Sequence, residues 1–191
     1  MTQRERLKQL LLERSVQRGD FILASGARSS YYVDCRVTAT SAEGQALIGA
    51  LAFELLSSTD LRPDVVGGLT MGADPVAYAI AHESWLRGDP IDAFTVRKQP
   101  KDHGTGKRIE GNFAAGQRAL VIEDVITSGG SALQACDAVE AEGGTVVGVL
   151  TIIDREAGGR EAIEARGYPV LSLFRISELL QDAPASTGPA A

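Results

Sequence analysis

Val121-Ile122-Glu123-Asp124-Val125-Ile126-Thr127-Ser128-Gly129-Gly130-Ser131 is the stretch from which the rest of the chain can be placed. It continues an apolar run, Ala119-Leu120-Val121-Ile122, of the kind expected where a strand is covered on both faces at the centre of a parallel sheet. It ends in small and hydroxyl-bearing residues that lead into a helix expected over Ser131 to Glu142 and stopped by Gly143-Gly144. A strand that becomes a helix through glycines can aim several backbone N–H groups at one phosphate, and the helix N-terminus adds partial positive charge. Glu123 and Asp124 would repel a bare phosphate. They need another neighbour, either the vicinal hydroxyls of a ribose or a divalent cation. The loop fits neither GxxxxGK[ST] nor GxGxxG.

Outward from this stretch, strand and helix alternate. Val65-Val66-Gly67-Gly68 reads as a buried strand, followed by a helix with Asp74 at the N-cap and Pro75 at its first position, running toward Trp85. Ala93 to Val96, Val146 to Ile153 and Val170 to Phe174 read as further strands. The pattern predicts an α/β fold with a central parallel sheet flanked by helices and with ligands at the strand carboxyl ends. Upstream, residues 1–18 read as an amphipathic helix with Leu7, Leu10, Leu11 and Leu12 near one face, ended by Gly19. Phe21-Ile22-Leu23 and Tyr31-Tyr32-Val33 around Ser25-Gly26 suggest a hairpin. Thr40 and Glu43 are spaced as a capping box for a helix carrying Leu47, Ile48, Leu51, Ala52 and Leu55. The expected organisation is one domain over 1–183. Residues 1–38 form a helix and hairpin appended to an α/β core over 39–183, and the Pro/Ala/Ser/Gly-rich tail 184–191 is disordered.

A length of 191 residues suits one core. The net charge of -6 argues against nucleic acid as a partner, because that calls for a basic face. Cys35 and Cys136 form no CxxC pair and are expected to be free thiols in a reducing compartment. The N-terminus has no signal-peptide apolar region, and no apolar run approaches the ~18 residues of a membrane span. The expectation is a cytoplasmic protein with no membrane partner.

Strand, two acids, two apolar residues, Thr, a small residue, Gly and Gly/Ser resembles the signature with which type I phosphoribosyltransferases bind phosphoribosyl pyrophosphate (PRPP). The resemblance implies a Rossmann-like core of that type. It places Glu123 and Asp124 at the ribose 2- and 3-hydroxyls, directly or near Mg2+. Val125 and Ile126 lie within the signature, and Thr127, Ser128, Gly129, Gly130 and Ser131 hold the 5-phosphate. Mg2+ is expected as a cofactor held mainly by PRPP and not by direct protein ligation.

Arg97-Lys98-Gln99-Pro100-Lys101-Asp102-His103-Gly104-Thr105-Gly106-Lys107-Arg108-Ile109-Glu110-Gly111 carries five basic residues, three glycines and a proline, and nothing in it reads as core. That composition predicts a lid of low local stability. Arg-Lys-x-x-Lys-Asp-His-Gly resembles the catalytic loop of orotate phosphoribosyltransferases. The resemblance implies a homodimer in which loop 97–111 closes over PRPP across the subunit boundary, with Arg97, Lys98, Lys101 and His103 on the pyrophosphate. Cations there stabilise charge that develops as pyrophosphate leaves. His103 could instead donate a proton. Lys101, His103 and Asp124 are the expected catalytic residues.

The run Phe21 to Asp34 resembles the N-terminal hood of the same family. Many members carry Lys where this chain has Ala24, which makes Arg28 a candidate substitute. Tyr31 and Tyr32 could line or stack on a flat base, or simply pack the hairpin. The strand Val149 to Ile153 runs into Asp154-Arg155, and the resemblance makes Arg155 the ligand of the orotate carboxylate, to which a guanidinium can donate two parallel hydrogen bonds. A salt bridge to a nearby acid is the plain alternative. Thr127 is a second implied orotate contact. Gly67 to Pro75 sits where the family binds pyrophosphate through backbone amides, here at Met71 and Gly72, although some members have Lys in place of Met71. His82 and Trp85 read as structural.

The implied reaction joins PRPP and orotate to give orotidine 5-monophosphate and pyrophosphate, a step of de novo pyrimidine (UMP) biosynthesis. Two rivals share the PRPP half: a phosphoribosyltransferase for another base, and a non-catalytic PRPP-sensing regulator that binds nucleic acid.

Overall fold

The protein is described from a computed structural model covering residues 1–22, 28–99 and 108–182. α1 (Gln3–Arg14) leads into a hairpin of β1 (Val16–Ile22) and β2 (Arg28–Val33), then α2 (Arg36–Ala39) and α3 (Ala42–Ser57). The remainder is β3 (Val65–Leu69), α4 (Ala73–Leu86), β4 (Asp92–Val96), β5 (Ile109–Gly111), β6 (Arg118–Ile126), α5 (Gly130–Ala141), β7 (Thr145–Asp154), α6 (Gly159–Glu164), β8 (Val170–Arg175) and α7 (Ile176–Asp182).

The sheet runs β5-β4-β3-β6-β7-β8. All neighbours pair in parallel except the short edge strand β5, which is antiparallel to β4. After β3 the chain moves outward to β4, then returns to the other side of β3 as β6. The loops leaving β3 and β6 therefore part from each other, and parting loops open a crevice at the strand carboxyl ends.

Period-two alternation divides the apolar side chains between two faces. Val66, Leu120, Ile122, Leu150 and Ile152 pack with α1, α3 and α4. Val65, Val121, Val149 and Phe94 pack with Ala132, Ala135 and Val139 of α5 and Ile163 of α6. This two-sided burial explains why the central strands read as unbroken apolar runs.

Several boundaries differ from the sequence reading. α1 stops at Arg14, not near residue 18. It starts with a Thr2–Glu5 capping box and ends on Ser15, whose hydroxyl is buried against that of Thr38 at 2.7 Å. Val16 to Arg18 pair instead with Tyr31 to Val33, so tertiary strand pairing overrides helical spacing there. Nor is α1 an appendage, because Leu7 and Leu11 are fully buried in the core that contains Ile80 and Leu120. α3 is capped by Ser41, which accepts from the Gly44 N–H at 3.1 Å, while Glu43 is held by Arg6 at 2.6 Å. α4 begins at Ala73, and Asp74 is drawn from the capping role by two threonine hydroxyls described below. Ile109 is buried in the core beside Phe94, so the polar segment after β4 does contribute one core residue. The tail expected to be disordered lies outside the described residues.

At the end of β7, Asp154 is 2% exposed and pairs with Arg160 Nε at 2.7 Å. The same guanidinium donates to the Val170 carbonyl at 2.6 Å and the Ser172 hydroxyl at 3.0 Å, so one side chain ties β7, α6 and β8 together. Removing one partner of a buried pair strands the other charge. Arg160→Ala is expected to lower the unfolding free energy by roughly 3–5 kcal/mol, read from the urea midpoint. A shift under about 1 kcal/mol, the level of an exposed pair, would contradict this account.

Candidate active site

The crevice between β3 and β6 holds a cleft of about 310 Å³, inside the size range of small-ligand sites. Its floor is the β6–α5 turn. Gly129 there has φ of 79°, a left-handed conformation, and a Cβ on it would lie 2.9 Å from the Gly159 carbonyl. Glycine is required on both grounds. α5 starts at the next residue with no side-chain cap, so its first N–H groups face a hollow of about 110 Å³ lined by residues 125–132 and Glu123. That is room for one tetrahedral anion and not for a ring.

Glu123 and Asp124 project from β6 into the same cleft, both partly buried. Burial, reinforced by the neighbouring Asp124 charge, pushes the Glu123 carboxyl up to about 8, and its Oε2 has no hydrogen-bond partner among the described residues. Burial also raises Asp124, against the pull of the Val125 N–H at 3.0 Å. A pair in this state favours a ligand that brings positive charge or hydroxyl donors.

Across the crevice, Thr70, Met71 and Gly72 follow β3, and the Thr70–Met71 peptide is cis. A Cβ on Gly72 would sit 2.7 Å from Asp124 Oδ1, so the two loops touch only because residue 72 has no side chain. Asp74 braces this loop by accepting from the Thr70 hydroxyl at 2.6 Å and the Thr95 hydroxyl at 2.9 Å. Met71 is 64% exposed at the cleft wall.

Arg155 enters from the end of β7, with its N–H bonded to the Ile126 carbonyl at 3.0 Å. Its guanidinium lies 4.8 Å from the centre of the Tyr31 ring, and its buried Nε has no partner among the described residues. Among the described residues the loop salt bridge does not form. Asp154 is taken by Arg160, and Glu156 accepts from the Ser177 N–H at 3.0 Å.

The structure thus gathers Met71, Gly72, Lys98, Glu123, Asp124, Val125, Thr127, Ser131, Tyr32 and Arg155 along one cleft, with Ile126, Ser128, Gly129 and Gly130 in its floor. Tyr31 is placed beneath Arg155, while Tyr32 faces the cleft and packs on Phe21 at 5.7 Å. Arg97 pairs with Glu110 at 3.3 Å, and neither it nor Arg28 lines the cleft. Lys101, His103 and Ala24 lie outside the described residues. Asp34, Arg36 and Thr70 line the cleft without having been singled out in the sequence. The Asp-x-Arg spacing just after the hairpin was the available signal.

Glu123 gives a pH-dependent prediction. Its ordinary value is 4.5 and the folded value about 8, so stability present below 4.5 is lost as pH rises through 8. Glu123→Gln removes that loss. The variant should match wild type in Tm near pH 4 and exceed it at pH 8.5 by roughly 4 °C or more. A difference that does not change with pH would contradict the assignment.

The comparisons with known proteins agree with this geometry. The family model "Phosphoribosyl transferase domain" matches residues 39–172. The chain is 48% identical to an orotate phosphoribosyltransferase of Aquifex aeolicus over 94% of its own length and 99% of that protein's. It is 49% identical to one of Mycobacterium avium over 92% and 95%. Among solved structures, the Mycobacterium tuberculosis H37Rv orotate phosphoribosyltransferase in complex with Fe(III) dicitrate superposes with a TM-score of 0.83 at 48% identity, covering 93% of this chain and 99% of that one. The same enzyme in complex with PRPP gives 0.80 at 46%, with the same coverage. The chain belongs to the orotate phosphoribosyltransferase family.

Proposed function

We propose that this chain transfers the 5-phosphoribosyl group of PRPP to orotate by a division of labour along the cleft. The observation that carries the reading is the sequence of features in one crevice: an anion hollow at the α5 N-terminus, two raised carboxylates, and a half-buried arginine whose buried Nε has no partner among the described residues. Their order matches a 5-phosphate, a ribose and an anionic planar base. Thr127 to Ser131 take the phosphate, Glu123 and Asp124 the ribose hydroxyls, and Arg155 with Thr127 the orotate carboxylate and ring. Tyr32 lines the base end. Tyr31 supports Arg155 from below, where a cation over an aromatic face is attracted to the ring.

In the reaction the C1–O bond of PRPP breaks with its electron pair leaving on pyrophosphate, and N1 of ionised orotate bonds to C1. No strong base is needed, so the protein's work is positioning and charge stabilisation. Lys98 at the cleft, with Lys101 and His103 of the same segment, supplies cations to the departing group, and Arg97, which does not line this chain's own cleft, would serve the cleft of the second copy. The Arg97 N–H bonds to the Arg108 carbonyl at 2.8 Å, so the two ends of that segment meet.

The donor set fits Mg2+ brought in by PRPP. Among the described residues no cluster of three His, Cys, Asp or Glu side chains forms a cage, and Glu123 and Asp124 offer hard oxygens on one side only. Such a one-sided set suits an ion that keeps its waters and phosphate oxygens. When bound, it would supply neutralising charge to the pyrophosphate.

A homodimer is part of the reading. Tyr78, Trp85 and Leu86 are 53%, 72% and 63% exposed along α4, beside the strand that leads into the basic segment. A helix face of that kind is suited to cover by a second copy. Two buried free thiols, Cys35 and Cys136, accord with a reducing cytoplasmic setting.

The test is a spectrophotometric assay of orotate consumption with PRPP and Mg2+, run beside uracil, adenine and hypoxanthine. Orotate alone should turn over. Lys101→Ala should lower kcat by roughly 10²–10³-fold. Arg155→Ala should raise the KM for orotate by roughly 30–100-fold, the loss of a charge-assisted contact, with the KM for PRPP nearly unchanged. Turnover of another base would remove the orotate assignment and leave the PRPP half standing. No turnover of any base would favour the regulator.

A further inference from the structure

We propose that Arg36 is a binding residue for the pyrophosphate group of PRPP, held ready by Asp34; this rests on the PRPP reading of the cleft. Arg36 opens α2, immediately after the hairpin. Its side chain lines the cleft together with Met71, Gly72 and Asp124, the point at which the β3 loop and the β6 carboxylate touch. None of these four residues lines the 5-phosphate hollow, which Glu123 borders, so they stand away from it in the cleft, where the group on C1 would extend.

The guanidinium is oriented before any ligand arrives. Nε donates to Asp34 Oδ1 at 2.8 Å and Nη2 to Asp34 Oδ2 at 2.8 Å. The Arg36 backbone N–H donates to the same Oδ1 at 3.1 Å. Asp34 is in turn fixed by its own N–H to the Ser15 carbonyl at 2.9 Å. One edge of the planar fork is thereby occupied. Nη1 has no hydrogen bond among the described residues, so the opposite edge, Nη1 with the outer hydrogen of Nη2, remains for a second anion. The Arg36 side chain is 51% exposed against 23% for Asp34. The acid is the more covered anchor and the base is the presented group. An exposed pair contributes little stability, so fold stability alone is a weak reason for this arrangement. A pre-oriented guanidinium loses less entropy per hydrogen bond and matches two phosphate oxygens at once.

Charge balance points the same way. The described cations on the cleft wall are Arg36, Lys98 and Arg155. Arg155 is stacked on Tyr31 at the base end. Pyrophosphate must enter beside Glu123 and Asp124, and the β3 loop offers Thr70, Met71 and Gly72 there, none of which carries a charge. Arg36 and Asp124 lie close enough that each charge stabilises the other. Arg36 therefore offsets the repulsion that Asp124 would exert on an incoming anion.

The experiment compares wild type, Arg36→Gln and Arg36→Lys. The readouts are steady-state kinetics with orotate and PRPP, calorimetric binding of inorganic pyrophosphate and of ribose 5-phosphate (both with Mg2+), and Tm. Arg36→Gln should raise the KM for PRPP and the Kd for pyrophosphate by roughly 10–30-fold. Arg36→Lys, which keeps the charge and loses the fork, should fall between the two. The KM for orotate and the Kd for ribose 5-phosphate should stay within about twofold, and Tm within about 2 °C, as for an exposed pair. Unchanged pyrophosphate affinity in both variants would overturn the proposal, as would equal weakening of all ligands with a lowered Tm, which marks a structural role. The outcomes also separate this proposal from the reading beneath it. Wild type that binds pyrophosphate through Arg36 but turns over no orotate would sink the proposed reaction and keep the binding residue. Wild type that binds no pyrophosphate would sink the binding residue.

Discussion

The parallel pairing of β3 with β6 is the contact on which the site depends, because it joins two strands whose exit loops run in opposite directions. The approach is close enough that small residues are compulsory along it. A Cβ at Gly68 would lie 2.0 Å from the Ile122 carbonyl, and one at Gly72 would press on Asp124. The glycines of Val65-Val66-Gly67-Gly68 and Met71-Gly72 therefore serve packing first. The crevice, and the meeting of the β3 loop with the β6 carboxylates, is a consequence of that packing.

Holding Glu123 and Asp124 side by side in a partly buried cleft works against the stability of the protein, because burial raises the proton affinity of both and the Asp124 charge raises that of Glu123 further. Such strain at a site is a common cost of function. It also creates a difficulty for binding. The chain has a net charge of -6 and its proposed substrates are anions, so attraction must be local. Arg36, Lys98 and Arg155 stand on the same wall as Asp34, Glu123 and Asp124, so the crevice is balanced in charge where the chain as a whole is acidic, which suits the proposed anionic substrates.

Much of this was legible in the sequence for definite physical reasons. Continuous apolar strands, a glycine turn into a helix, and paired acids at a strand end each have few structural meanings, and the sheet and cradle follow from them. The errors fell where tertiary contacts outvote local pattern. Val16 to Arg18 kept helical spacing but gain more from pairing with β2. Ile109 sat alone among charges, and only the antiparallel ladder with Val96 shows why it is buried. Tyr31 and Tyr32 are adjacent and chemically alike. On a strand they face opposite ways, so one supports Arg155 and the other lines the cleft. The Asp34-x-Arg36 spacing was the one local signal for Arg36, and it fell short because nothing local says that residue 36 folds back beside residue 124.

The elements that would hold PRPP and those that would hold the base are built differently. Phosphate and ribose groups meet β6, α5 and the β3 loop, all parts of the central sheet and its direct connections. The base end is composite: Arg155 comes from β7, and its stacking partner Tyr31 comes from β2 of a separate two-stranded sheet. Arg155 is thus only as well oriented as the hairpin that supports its guanidinium. Changing the hairpin can alter which base is accepted without disturbing the sheet, whereas changing β6 or α5 cannot leave the phosphate hollow intact. A fold arranged in this way can keep one sugar-phosphate donor and vary its acceptor, because the two recognitions depend on different pieces of the chain.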